Sequence, residues 1–261
     1  MTYLDLEAAF GTTSATAGTY GALAANGGDT LTVRTISTSQ KAELIDFGTF
    51  AAATPQIRVI SPYLADDVYA LSFSANASDP SGLTGPIPTQ LLRAQDTLSV
   101  QAANGTASEA TGYWQLVYYS DLAGGPSTYI GADELRARAT EQIGYQNSVT
   151  TVSNGTWATQ LVSAGTGVLK ANAQYAVIGY DLNTACTAFG ILGPDTGNFR
   201  AGGPGLTTKQ FTRTWFFDLS FWTGLPCIPV FNAQNATGTT VQIAAISAAT
   251  FQINMYLARL K

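Results

Sequence analysis

Seventeen carboxylates, four tryptophans and two cysteines are the reactive or recognising side chains of this 261-residue chain, which contains no histidine. Without imidazole there is no Ser/His/Asp triad, no Cys/His pair and no His-ligated zinc or haem. Acid–base work would fall to paired carboxylates, as in glycoside hydrolysis. The spacing does not provide a pair. Asp66 and Asp67 are adjacent, so an extended chain sends them to opposite faces, and PYLADD reads as a loop. Asp79 in ASDPSG, Asp181 in GYDLN and Asp195 in GPDTGN sit in turn sequences, where aspartate caps local backbone groups. The Asp-x-Asp-x-Asp-Gly rhythm of a calcium loop is missing, so a structural calcium ion is not indicated, the metal ligands stay unknown and no cofactor is expected. The sequence predicts that the chain is not an enzyme.

Aromatic side chains offer a different chemistry, stacking on sugar rings or on a partner. Trp114 and Trp215 lie inside aromatic runs, which predicts core packing. Trp157 in NGTWAT and Trp222 in FWTGLP lie beside turns and are candidate surface-loop contacts. Arg200 belongs with them, because NFRAGGPGLTT from Asn198 lacks the context of a P-loop or Rossmann turn and reads as a long contact-making loop. Cys186 and Cys227 are 41 residues apart without a CxxC spacing; two separate buried thiols are favoured over a bridge, and the pairing stays open. Sequons at Asn76, Asn104, Asn154 and Asn235 mark surface turns.

Charge narrows the partners. Only 11% of residues are Asp, Glu, Lys or Arg, against roughly 25% in an average soluble domain. A surface of Thr, Ser, Asn, Gln, Ala and Gly suits a protein packed against copies of itself. The net charge of −5, with basic residues scattered singly, argues against direct nucleic-acid binding. MTYLDLEAAFG has neither a basic n-region nor an apolar h-region, which predicts no secretory signal.

The elements that would position these groups are mostly strands. Alternating or β-branched runs bounded by Gly, Asn, Asp or Pro predict strands in DTLTVRTI, AELIDFGTF, QIRVISP, DVYALSFSA, DTLSVQAA and YWQLVYYSDL. IGYQNSVTTVS, TWATQLVSA, QYAVIGYDL, TACTAFGI, TRTWFFDLSFW, CIPVFNA, TTVQIAAIS and FQINMYLARL follow in the second half. Helix is expected from Ala132 in ADELRARATEQ and, as a short amphipathic piece, over 2–10, where Tyr3, Leu4, Leu6 and Phe10 form an apolar cluster. With the Gly/Ala/Thr stretch behind it, that piece reads as an assembly arm.

An internal echo organises the chain. Leu71-Ser72-Phe73, PIPTQLLRAQ from Pro86, TLSVQAA from Thr97 and YWQLVYYSDL from Tyr113 recur in order as Leu219-Ser220-Phe221, CIPVFNAQ from Cys227, TVQIAAI from Thr240 and FQINMYLARL from Phe251, at offsets of 138 to 148 residues. A rival echo, QIRVISPYL against QYAVIGYDL, has an offset of 118. The first echo predicts two tandem jelly-roll β-sandwiches joined near Ala123-Gly124-Gly125-Pro126-Ser127, with Trp114, Leu116, Ile253 and Met255 facing inwards from equivalent last strands. The expected organisation is an N-terminal segment and arm over 1–28, a first jelly roll over 29–124 and a second over 125–261. One elaborated β-sandwich is the alternative.

An all-β chain in two similar halves, with few charges, an arm and Gly-rich loops, resembles a bacteriophage virion structural protein. It is most similar to the double jelly-roll major capsid proteins of membrane-containing icosahedral phages. The stretches YAVIGYDLNTACTAFGILGPDTGNFRAGGPG and GLPCIPVFNAQNATGTTVQ carry the resemblance most strongly. It implies a homotrimer of six jelly rolls with a pseudo-hexagonal outline, contacts to neighbouring capsomers and other virion proteins, an internal membrane layer beneath, and location in the virion. A carbohydrate- or receptor-binding β-sandwich is the alternative function, and a carboxylate-only glycosidase a distant third.

Overall fold

The computed structural model describes residues 2–16, 19–51, 56–63, 71–74, 90–103, 108–121, 128–151, 154–207 and 209–261. Strands take 54% of the described residues and helices 14%, so the class is all-β and sandwich-like. The first half runs β1 (Thr2–Thr12), β2 (Gly21–Ala22), β3 (Ala24–Ala25), β4 (Gln40–Ala51), β5 (Gln56–Ile60), β6 (Leu71–Ser74), β7 (Gln90–Leu92), β8 (Ser99–Ala103) and β9 (Ala110–Asp121). The second opens with β10 (Tyr129–Ile130), α1 (Ala132–Arg138), β11 (Ala139–Thr151), β12 (Trp157–Leu161), β13 (Gln174–Leu182) and β14 (Ala188–Leu192). It continues through β15 (Ala201–Pro204), α2 (Lys209–Thr212), α3 (Trp215–Thr223), β16 (Ile228–Asn232), β17 (Thr240–Ala244) and β18 (Ala249–Leu260).

Each half forms a five-stranded and a four-stranded sheet: β3-β1-β9-β4-β7 with β2-β8-β5-β6, then β10-β16-β13-β18-β11 with β12-β17-β14-β15. With the two-residue β3 and β10 set aside and the other eight strands of each half ranked in chain order, both halves read first-eighth-third-sixth in one sheet and second-seventh-fourth-fifth in the other. Three of the four echoed segments fall on strands of equal rank, β7 with β16, β8 with β17 and β9 with β18. Leu71-Ser72-Phe73 does not, since it lies in a strand and Leu219-Ser220-Phe221 in a helix. The rival echo pairs β5 with β13, strands of unequal rank. The proposed joint at 123–127 lies outside the described residues.

Alternation along β9 divides the core in two. Tyr113, Val117 and Tyr119 point into a first-half core with Leu44, Phe47, Ile57, Val59 and Val100. Trp114, Leu116 and Tyr118 point the other way, joining Leu4, Leu6 and Ala8 of β1 and Ile45 of β4 in one cluster with Phe189, Ala201, Trp215 and Ile243 of the second half. Trp114 and Leu116 are therefore buried as expected, but against the other half and not inside their own sandwich. Ile253 and Met255 are buried in the same large cluster.

Three local expectations are corrected. Residues 2–12 are neither helix nor arm: β1 pairs with β9 at every position from Thr2↔Ser120 to Thr12↔Ala110, with Leu4 and Leu6 fully buried. Leu4-Asp5-Leu6-Glu7-Ala8 does alternate with period two, a strand signal that the helical reading passed over; what it does not show is that the polar face is buried as well. WFFDLSFW is helix α3, not strand. Its Trp215, Phe216, Leu219 and Ser220 form one buried face, and Gly224, at φ 70, ends it by donating its N–H to Ser220 O. The glycine cluster after Asn198 contains β15, which the missing side chains allow to lie tight against the first half. A Cβ on Gly202 would stand 2.5 Å from Leu6 Cδ2 and 2.2 Å from Phe189 O.

Candidate functional site: the seam between the halves

The seam is built on β1, whose residues alternate in role. Leu4, Leu6 and Ala8 bury apolar surface against the second half, while Asp5 and Glu7 carry carboxylates into the interior on the opposite face, 1% and 3% exposed. Burial on this scale is tolerated when counter-charges and donors are supplied. Arg34 Nε lies 2.8 Å from Asp5 Oδ2. Glu7 accepts from Thr30 N at 3.3 Å and from Gln115 Nε2 at 3.2 Å, and Gln115 Oε1 in turn accepts from Tyr113 OH.

Arg200 fastens the second half to this strand. Its Nη1 donates to Asp29 Oδ1 at 2.7 Å and to Leu6 O at 2.8 Å, and its Nε donates to Gln242 Oε1 at 2.6 Å. The guanidinium stacks 3.9 Å over the Trp157 ring. Trp157 Nε1 and Ala8 N both donate to Asp29 Oδ2, at 2.7 and 2.8 Å. One ion pair is thus held by β1, the segment after β3, β12, β17 and the residue preceding β15. Main-chain bonds from Leu6 N to Arg200 O and from Gly27 N to Gly155 O run alongside. Trp114 and Trp215 meet edge to face across the same boundary, with ring centroids 6.1 Å apart.

Three buried carboxylates share two guanidiniums here, that of Arg200 buried and that of Arg34 reaching the surface. Burial pushes Asp5 up to about 6, against the opposing pull of Arg34 and Arg200. Burial, then the neighbouring charges of Asp5 and Asp29, push Glu7 up to about 7. Asp5 and Glu7, two apart on one strand face, form a carboxylate pair that reading 2–10 as a helix concealed. Both carboxylates are buried, so neither is presented at the surface as a glycosidase pair would be.

The sequence-singled residues separate in space. Trp157 and Arg200 come together, but inside the seam: Arg200 is 8% exposed and makes no surface-loop contact. Trp222 is on the surface, 57% exposed at the end of α3. Tyr3 stacks on Phe199 at 4.5 Å, and Phe10 is half-buried. With Leu4 and Leu6, they do not form an exposed arm. Cys186 and Cys227 are free, buried thiols, and burial pushes Cys227 up to about 12. Asp195, expected to cap local backbone groups, instead ties its turn to a distant segment, accepting from Asn232 N and from the side chains of Asn232 and Asn235. Asp66, Asp67 and Asp79 lie outside the described residues. Among the described residues no group of three His, Cys, Asp or Glu is placed to hold a metal ion, and no helix is long and apolar enough to cross a membrane.

A second feature is a polar cleft of about 700 Å³ lined by residues of β11, β13 and β18, among them Gln146, Asp181, Gln252, Asn254 and Tyr256. Asp181 is held there by Arg213 Nε at 3.2 Å and by the Tyr256 hydroxyl at 2.5 Å. Sequence reading gave Asp181 only a turn-capping role. Compared with protein-family models and with curated proteins, the chain matches none.

Proposed function

We propose that the chain is a structural protein of a viral capsid, two tandem jelly rolls that self-assemble as trimers into an icosahedral shell of a virion. The supporting observation is the repeated strand order. First-eighth-third-sixth facing second-seventh-fourth-fifth is the connectivity of an eight-stranded jelly roll, and it occurs twice. The seam adds to it: one half already binds the other through an apolar face with a central ion pair, the kind of contact a shell repeats between copies. Function is then self-association with neighbouring capsomers and other virion proteins, above an internal membrane layer, without catalysis, cofactor or direct nucleic-acid contact.

Sedimentation and negative-stain imaging of the purified chain test this reading. The expected result is a trimer with a pseudo-hexagonal outline; a lasting monomer at micromolar concentration overturns it. The Asp181 cleft favours one alternative, a carbohydrate- or receptor-binding module, because amides and an Arg-held carboxylate suit hydroxyl-rich ligands. Saturable binding of neutral oligosaccharides by a monomer, lost in Asp181→Ala, selects that alternative.

A further inference from the structure

Helix α3 is apolar almost all round: among Trp215–Thr223 only Asp218, Ser220 and Thr223 are polar. A helix of that composition belongs inside a structure. One face is satisfied by the seam cluster, through Trp215, Phe216 and Leu219. The other is not. Phe221 is 53% exposed and Trp222 57%. Phe217 and Phe221, one turn apart, stack with ring centroids 6.3 Å apart and planes 8° from parallel, and Trp222 stands edge-on to Phe221 at 5.4 Å. Arg136 of α1 lies over both phenylalanine rings, at 4.9 and 5.6 Å. The rings are thus fixed by contacts with one another and ready to be covered.

We infer that this aromatic patch is a contact surface for a second copy of the chain, between assembled capsomers. The inference rests on the self-assembly reading and supplies one of its surfaces. The rim selects the occupant. Beside the rings, α1 carries Asp133, Glu134, Arg136 and Arg138, paired as Arg136–Asp133 and Arg138–Glu134, and α3 adds Asp218, so the rim holds both signs with one carboxylate in excess. A rim of both signs meets its own image across a two-fold axis through opposite charges, Arg136 of one copy facing Asp133 of the other. An anionic membrane or a nucleic acid would call for surplus Lys or Arg at this rim. Area sets the strength. Covering the exposed parts of two aromatic side chains removes on the order of 200 Å² per copy, against roughly 800 Å² per partner in a stable pairwise complex. The contact is therefore weak singly and suited to repetition across a lattice.

The double variant Phe221→Ser/Trp222→Ser tests this, with its fold checked by circular dichroism and thermal midpoint. Sedimentation velocity over a concentration series reads association, and acrylamide quenching reads the exposure of Trp222, with Trp222→Phe as the reference lacking that fluorophore. Wild type should associate beyond its smallest oligomer as concentration rises, with Trp222 becoming shielded. The double variant should keep the small oligomer and lose at least tenfold in higher association, and Trp222→Phe should retain it. Equal higher association in wild type and double variant overturns the patch while sparing self-assembly. A monomeric wild type with freely quenched Trp222 overturns both. Protection of Trp222 by phosphatidylglycerol vesicles, without higher association, assigns the patch to lipid and overturns the inference.

Discussion

Replacing Glu7 by glutamine should stabilise the protein at neutral and alkaline pH and leave it nearly unchanged in acid. The folded state holds the Glu7 proton up to about pH 7, against an ordinary value of 4.5. Between those values the native state binds more protons than the unfolded chain, so stability falls as pH rises, and the loss is complete above the folded value. The difference is about 2.5 pH units, which at about 1.4 kcal/mol each comes to ~3 kcal/mol. Glutamine mimics the neutral acid: its amide donates to Gln115 Oε1 once that side chain turns over, and Tyr113 Oη then accepts from Gln115 Nε2. Asp5, raised to about 6, titrates in the same direction in both proteins, and its charge acts on Glu7, so the steps belong to the pair. The assay is urea unfolding followed by circular dichroism from about pH 4.5 to about pH 8. The variant-minus-wild-type difference should climb by ~3 kcal/mol, roughly 6–12 °C in thermal midpoint. A difference curve that stays flat, or descends with pH, would refute the assignment of buried acids to the seam.

Arg200→Met should cost about 3–5 kcal/mol by stranding Asp29 in the interior, and adding Asp29→Asn should recover part of the loss in the same urea assay. Gly202→Ala should cost about 1–3 kcal/mol, because the new methyl meets Leu6 and a main-chain oxygen; a midpoint equal to wild type would show that the halves are not closely apposed there. Deleting residues 2–12 should yield insoluble or unfolded protein, since the segment pairs with β9 throughout; a soluble, cooperatively unfolding truncate would contradict the placement of β1.

Histidine count, charge content and alternation are local properties, and they determined the exclusion of imidazole chemistry, the all-β class and the approximate positions of most strands. The echo also survives in part, because β8 with β17 and β9 with β18 keep similar side chains where they hold equal rank. What tertiary structure alone decided is which side of each strand meets what. Whether 2–12 is an arm or a buried strand depends on β9 lying beside it and the second half lying over it. The alternation Leu4-Asp5-Leu6-Glu7-Ala8 is a strand signal in the segment itself, but it reads as one buried and one solvated face, and only tertiary contacts bury both. WFFDLSFW turned helical through its Gly224 cap and its single buried face, although its composition favours strand. Glycines at 202 and 203 read as loop until close approach to Leu6 and Trp215 accounts for their missing side chains. The seam joins Asp5, Glu7 and Asp29 to Trp157 and Arg200, which lie more than a hundred residues further along the chain. Raised proton affinity and a buried ion pair arise from that juxtaposition and from the loss of water that accompanies it.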